Sequence, residues 1–167
     1  MSIIAVDVGT KYTGLVAGPE DFLVTTISAD KGDLAEVRLM KIAHKIVDVV
    51  SKRKPEYIVL EDYAMGRVFN VEMGELMGML KMLLKEKFHK KIIFGAINPS
   101  MIRAILCGDG RSSESEIRSA VKNIYGEVYK TVHEVDALAV YHVFNKYLNK
   151  ELDERRMRLI RSRVYEL

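Results

Sequence analysis

The sequence predicts an α/β domain built on a mixed sheet, and three observations carry that prediction. The first 28 residues read as three short strands joined by tight turns. Beyond residue 33 apolar residues recur at helical spacing, and short apolar runs return between the helices at Tyr57–Leu60 and Ile92–Ile97. Strands joined by tight turns pair antiparallel, whereas strands that return through a helix pair parallel. The order βββαβαβααα therefore predicts a five-stranded sheet, three antiparallel strands followed by parallel ones, flanked by helices.

Each element has a local reason. Ile3–Val8 is an apolar run interrupted by Asp7 and closed by Gly9, a buried strand ending in a turn. Tyr12–Ala17 and Phe22–Ser28 follow, separated by the turn signal Gly18-Pro19-Glu20-Asp21. Leu34, Val37, Ile42, Ile46, Val49 and Val50 form a helical stripe over residues 33–53, with Asp33 as its expected N-cap and Pro55 as its stop. Tyr57–Leu60 is a central strand ended by Glu61, and the loop Asp62–Val68 leads to a second helix, Phe69–Phe88. After the fifth strand, Asn98-Pro99 opens a third helix running to Leu106. Ser113 with Glu116 is a capping-box signature for a fourth helix ending at Gly126, and His133–Leu148 is the fifth.

The 167 residues are expected to form one domain, 1–167, whose last stretch, 150–167, is a basic C-terminal helix or tail. Hydrophobic residues make up 49% and charged residues 29%, which excludes a disordered chain. No apolar run approaches the roughly 18 residues a membrane span requires. The lone Cys107 excludes an internal disulfide and a cysteine zinc cage, and reads as a core or surface thiol. The chain enters an apolar strand without a basic leader, so a cytoplasmic location is expected. A net charge of +3 is compatible with a nucleic-acid partner without demanding one.

Two apolar strands end in a carboxylate, Asp7 on the first and Glu61 on the fourth. Taken singly, each is an ordinary exposed strand end. Side by side at one sheet edge they would repel, and a divalent cation between them would let both stay ionised. His133 and Asp136, three apart, head the apolar stripe Ala137, Val140 and Phe144, which aims them at the sheet. Helix-dipole complementation accounts for Asp136 alone but less well for His133. Three carboxylates and an imidazole suit Mg²⁺ or Mn²⁺ better than zinc.

These segments, Asp7 in VDVGTKYTG, Glu61 in IVLEDYAMG and His133 and Asp136 in HEVDALAV, closely resemble the three motifs of RuvC-type Holliday junction resolvases, a family with the RNase H-like fold. The resemblance runs in order over nearly the whole chain, and includes Gly74–Gly78 in the second helix and Asn98-Pro99 through Arg103 to Gly108-Asp109-Gly110. It implies a metal-dependent endonuclease with Mg²⁺, two per active site and replaceable by Mn²⁺. Asp7 would bridge the ions, Glu61 and Asp136 would each hold one, and His133 would ligate or orient near the second. Two-metal hydrolysis of a phosphodiester needs no protein nucleophile.

The implied partner is branched DNA, the four-way junction, with no membrane. DNA contacts would come from Lys11, from Tyr63, Arg67 and Phe69 in the loop after Glu61, from Lys85 and Lys87 in the basic run that ends the second helix, and from Arg103. One position departs from the family: Glu114 stands where many relatives carry Lys, and Arg111 or Arg118 either replaces that cation or is a solvated surface charge. The second helix is apolar nearly all round, which calls for a cover on each side. Relatives use this helix for a homodimer, so Gly74, Met77 and Gly78 are the expected interface; the tail helix is the alternative cover. The function so implied is symmetric paired nicking of four-way junctions. The alternatives are a YqgF-type or other RNase H-like nuclease acting on RNA or branched DNA, and a non-catalytic junction-binding module. An actin-like kinase shares the DxGT opening but needs two enclosing domains.

Overall fold

A computed structural model describes residues 1–30, 32–62, 71–88, 92–126 and 129–167. Its elements are β1 (Ile3–Asp7), β2 (Tyr12–Gly18), β3 (Leu23–Ser28), α1 (Ala35–Arg53), β4 (Tyr57–Glu61), α2 (Val71–Lys87), β5 (Ile93–Ile97), α3 (Pro99–Cys107), α4 (Glu114–Tyr125), α5 (Val132–Leu148), α6 (Glu154–Arg161) and β6 (Val164–Glu166). The strands form one sheet in the order β3-β2-β1-β4-β5-β6. β1–β2 and β2–β3 pair antiparallel, while β1–β4 and β4–β5 pair parallel, as the turn and crossover lengths predict.

The sixth strand is an addition to the prediction. Val164–Glu166 pairs antiparallel with β5, Tyr165 opposite Phe94, so the basic tail is a helix followed by an edge strand. Three residues carry no readable periodicity, which is why the sequence does not announce it.

Helices cover both faces. On one, Leu39, Ile42, Ile46 and Val50 of α1 and Leu76, Leu80 and Leu84 of α2 pack against Ile4, Val6, Ile58, Leu60 and Phe94 of the sheet. On the other, α5 contributes Leu138, Val140, Val143 and Phe144, joined by Ile102 of α3, Ile117 of α4 and Ile160 of α6, against Ile3, Ala5, Val59 and Ile97. Successive strand side chains alternate between the two cores, as a sheet buried on both faces requires.

Three expectations about helices are corrected. Asp33 does not cap α1; Leu34 occupies that position with no side-chain cap bond, and Asp33 instead accepts from Lys41 at 2.8 Å. Met77, expected on the outer side of the second helix, is 5% exposed and packs in the core with Leu76 and Leu80. The side of α2 facing solvent carries Val71, Gly78 and Met82. Nor does the tail helix cover α2, because Ile160 of α6 packs in the core on the opposite face of the sheet. No described helix is long and apolar enough to cross a membrane.

Candidate functional site

The register of β1 against β4 brings the two strand-end carboxylates together. Ala5 is the Cα partner of Val59, and two residues further along come Asp7 and Glu61, with the same parity and therefore on the same face. That face is the one α5 covers. At the N-terminus of α5, His133 Nδ1 lies 2.7 Å from Asp7 Oδ2.

Several residues besides the four candidate ligands set this geometry. Thr131 caps α5 by accepting from Glu134 N–H, and the Glu134 carboxylate accepts from Thr131 N–H in return. Thr26 of β3 reaches both members of that box, its hydroxyl 2.8 Å from Thr131 Oγ1 and 3.3 Å from Glu134. The helix start is thus tied to the sheet. Gly14 of β2 lies directly under it, and a Cβ there would run into the His133 carbonyl. Gly9 is equally constrained, since a Cβ would meet the Tyr12 carbonyl within the β1–β2 turn. Thr13 closes that turn by donating its hydroxyl to the Gly9 carbonyl at 3.0 Å while accepting from Gly9 N–H at 3.2 Å. Arg38 of α1 holds the same turn from outside, donating to the Thr10 carbonyl at 2.9 Å, and its far nitrogen lies 3.3 Å from Glu72. Tyr12 stacks on the His133 ring at a centroid distance of 6.0 Å. Thr26 and Arg38 do not stand out in the sequence, and the fold alone brings them to the site, whereas Tyr12 and Gly14 lie within the first motif segment.

The electrostatics are those of gathered negative charge. Burial, then the charges of Asp7 and Asp136 and a hydrogen bond to Asp7, push Glu61 up to about 8. Burial, then Asp7 and Glu114, push Asp136 up to about 7. The hydrogen bond to Asp7 raises His133, with the charges of Asp7, Asp136 and Glu114 acting in the same direction against burial. Among the described residues, Arg103 draws both Glu61 and Asp136 downward, and His133 also draws Asp136 downward. Arg103 is anchored by donating to the Ser112 carbonyl at 3.2 Å. Arg111 is exposed, and Arg118 donates to the Tyr129 carbonyl at 3.0 Å, bracing the approach to α5. Glu114, at the first position of α4, adds a fourth acid to the neighbourhood of His133 and Asp136.

A divalent cation matches this set in kind and in charge. Oxygen donors predominate, and the mutual crowding that pushes Glu61 and Asp136 upward marks charge that a cation would neutralise. The spacing is looser than a closed ligand sphere: among the described residues no three His, Cys, Asp or Glu side chains are placed to hold one ion. The pairings Asp7–His133 and Asp7–Glu61 occupy carboxylate oxygens that a metal would take over.

Other predicted residues lie apart. Lys11 is exposed beside the β1–β2 turn. Lys85 and Lys87 sit at the end of α2, which runs back from the Glu61 edge towards the start of β5, and Lys87 is 3.6 Å from Asp48. Seventeen residues of helix span about 25 Å, so these lysines are remote from the carboxylates. Tyr63, Arg67 and Phe69, like the Lys90 and Lys91 end of the basic run, fall outside the described residues.

No protein-family model matches the sequence, and no curated protein matches it. Solved structures do. A Thermus thermophilus RuvC structure superposes with a TM-score of 0.75 at 19% identity, covering 100% of both chains. The fold is that of RuvC. A second structure, T. thermophilus RuvC in complex with a Holliday junction substrate, superposes with a TM-score of 0.70 at 21% identity over 84% of this chain and 90% of that one. The RuvC likeness confirms the RNase H-like mixed sheet expected from the motifs, with β6 as a sixth strand.

Proposed function

We propose that this chain is a metal-dependent, structure-selective endonuclease that resolves four-way DNA junctions by paired nicking. The observation that carries the reading is the meeting of Asp7 and Glu61 on adjacent parallel strands, under the His133 and Asp136 end of α5, on a fold shared with RuvC. The RuvC complex with a Holliday junction supports the choice of substrate.

Asp7, Glu61 and Asp136 would hold Mg²⁺ or Mn²⁺, two ions in the family pattern, with His133 beside Asp7. The bound ions would lower the pKa of an attacking water and stabilise the leaving 3′ oxygen. The residues themselves supply the rest. Asp7 orients the His133 ring through the 2.7 Å contact, and Tyr12 packs against its face. Arg103 places a fixed positive charge near the carboxylates, where a scissile phosphate would otherwise meet net repulsion. Arg103 therefore takes the part assigned above to Arg111 or Arg118.

A homodimer fits paired cutting, since two related strands need two related sites. The partner face of α2 is then Val71, Gly78 and Met82; Val71 and Met82 are 58% and 63% exposed, and a Cβ on Gly78 would stand in open space. The enzyme would act in the cytoplasm.

The test is cleavage of labelled four-way junction, fork, linear duplex and RNA–DNA hybrid side by side in Mg²⁺. Preferential, symmetric cutting of the junction is expected. Preference for the hybrid would move the protein to an RNA-directed nuclease, and junction binding without cutting would make it a non-catalytic module.

A further inference from the structure

The carboxyl edge of β4 and β5 opens on a groove of about 730 Å³ between α3 and the tail. Asp62, Asn98 and Ser100 line it from the sheet and α3, and Arg155, Arg156 and Arg163 line it from α6 and the turn into β6. We propose that this groove is a phosphodiester subsite that holds the backbone of a nucleic-acid strand running away from the Asp7–Glu61 centre. The proposal rests on the nuclease reading and adds to it a second, cationic place on the same sheet edge.

Three observations support it. First, the centre is a poor place to hold a polyanion on its own: Asp7, Glu61, Asp136 and Glu114 crowd it, and Arg103 is the guanidinium that opposes them. Affinity for a backbone must come from cations nearby. Second, the groove begins where the centre ends. Asp62 directly follows Glu61, its N–H bonds the Ile97 carbonyl at 2.8 Å, and its carboxylate pairs with Arg163 at 3.0 Å. The carboxyl edge of a sheet is also where α/β folds place ligands.

Third, the arginines are positioned without being used up. Arg163 remains 49% exposed in its pair with Asp62, and Arg156, 3.3 Å from Asp153, remains 41% exposed. A guanidinium has five N–H donors, so one carboxylate leaves a face free for phosphate. Arg155 is exposed and has no acidic partner among the described residues. A backbone subsite reads no bases, so it should serve any arm sequence.

The experiment measures affinity for a synthetic four-way DNA junction over a salt series without divalent cation, so that cutting plays no part. The groove variant is Arg155→Ala with Arg156→Ala. The control is Arg158→Ala with Arg161→Ala, which removes the same charge from α6 outside the groove. Each variant also removes one ion pair, Arg156–Asp153 or Arg158–Glu154, and thermal melting of both checks that they fold alike. The groove variant should bind several-fold more weakly whatever the arm sequence, with the log–log salt slope flattened by about 2, one for each lost phosphate contact. The control should keep the wild-type slope, and Arg155→Lys with Arg156→Lys should restore it. Equal slopes for groove and control variants would overturn the subsite while wild-type junction cutting left the nuclease reading intact. Failure of wild type to bind the junction at any salt would overturn both.

Discussion

Asp7 is the residue on which the others converge, since it pairs with His133 and hydrogen-bonds Glu61. Asp7→Asn, Glu61→Gln and Asp136→Asn should each reduce cleavage at least about a hundredfold while leaving junction binding in place, because they remove charge that stabilises the transition state and not the DNA surface. Gel-shift and cleavage assays on the same preparations check this. His133→Asp should keep much of the activity, as a carboxylate can serve the same ion, and His133→Ala should keep little; equal activity in both would reduce His133 to a helix-start group. Titration offers a further check. Glu61 and Asp136, raised to about 8 and about 7, retain protons in the folded state that the unfolded chain has released. The folded state thus binds more protons between about pH 4 and 8, and stability falls as pH rises through that window. His133, raised by Asp7, acts in the same direction. The metal-free protein should melt lower at pH 8.5 than at pH 5.5; Mg²⁺ should recover part of the loss, and Glu61→Gln should shrink the pH dependence. A melting temperature that rises with pH would contradict the clustering. The placement of Asp7, Glu61, His133 and Asp136 left traces in the sequence, as polar ends of apolar strands and an i, i+3 pair on a core stripe. The opposition of Arg103 and Glu114 across the site did not, since it depends on how α3 and α4 pack.

Among the elements, α5 and α2 decide most. The start of α5 is placed by Gly14, where a side chain would collide with the helix backbone at His133. Gly14→Ala should therefore cost about 1–3 kcal/mol, as overpacking does, and displace His133 from Asp7. A lower melting temperature together with reduced cleavage checks it; an unchanged protein would show that the close approach is not needed. In α2 the sequence shows apolar residues nearly all round and so hides which side meets the sheet. That is why Met77 reads as an interface residue, whereas the packed helix buries it and turns Val71, Gly78 and Met82 outward. Gly78→Glu meets open space in one chain, so the fold should survive and the dimer should not. Sedimentation should show monomers with a near wild-type melting temperature. Nicking at single strands should persist while paired resolution falls. The tail illustrates the opposite case: the sequence leaves 150–167 as a basic helix or tail, and the structure divides it into α6 and a β6 that pairs with the edge of β5.

For the molecule as a whole, the rule that turns give antiparallel and helices give parallel neighbours fixes the strand directions, whereas the placement of β1 beside β4 is set by the packed fold. That single adjacency turns two unremarkable strand ends into a paired acidic site, and the helix of the third motif completes it from one face. The other face carries α1 and α2. On the proposed reading, catalysis and assembly would occupy opposite sides of one sheet. The most direct test is cleavage of a supercoiled plasmid cruciform in Mg²⁺ by wild type and by Asp7→Asn. Wild type should convert it to linear product through two cuts in one binding event, with Asp7→Asn bound but inactive. Nicked circles alone from wild type, or full linearisation by Asp7→Asn, would contradict the account.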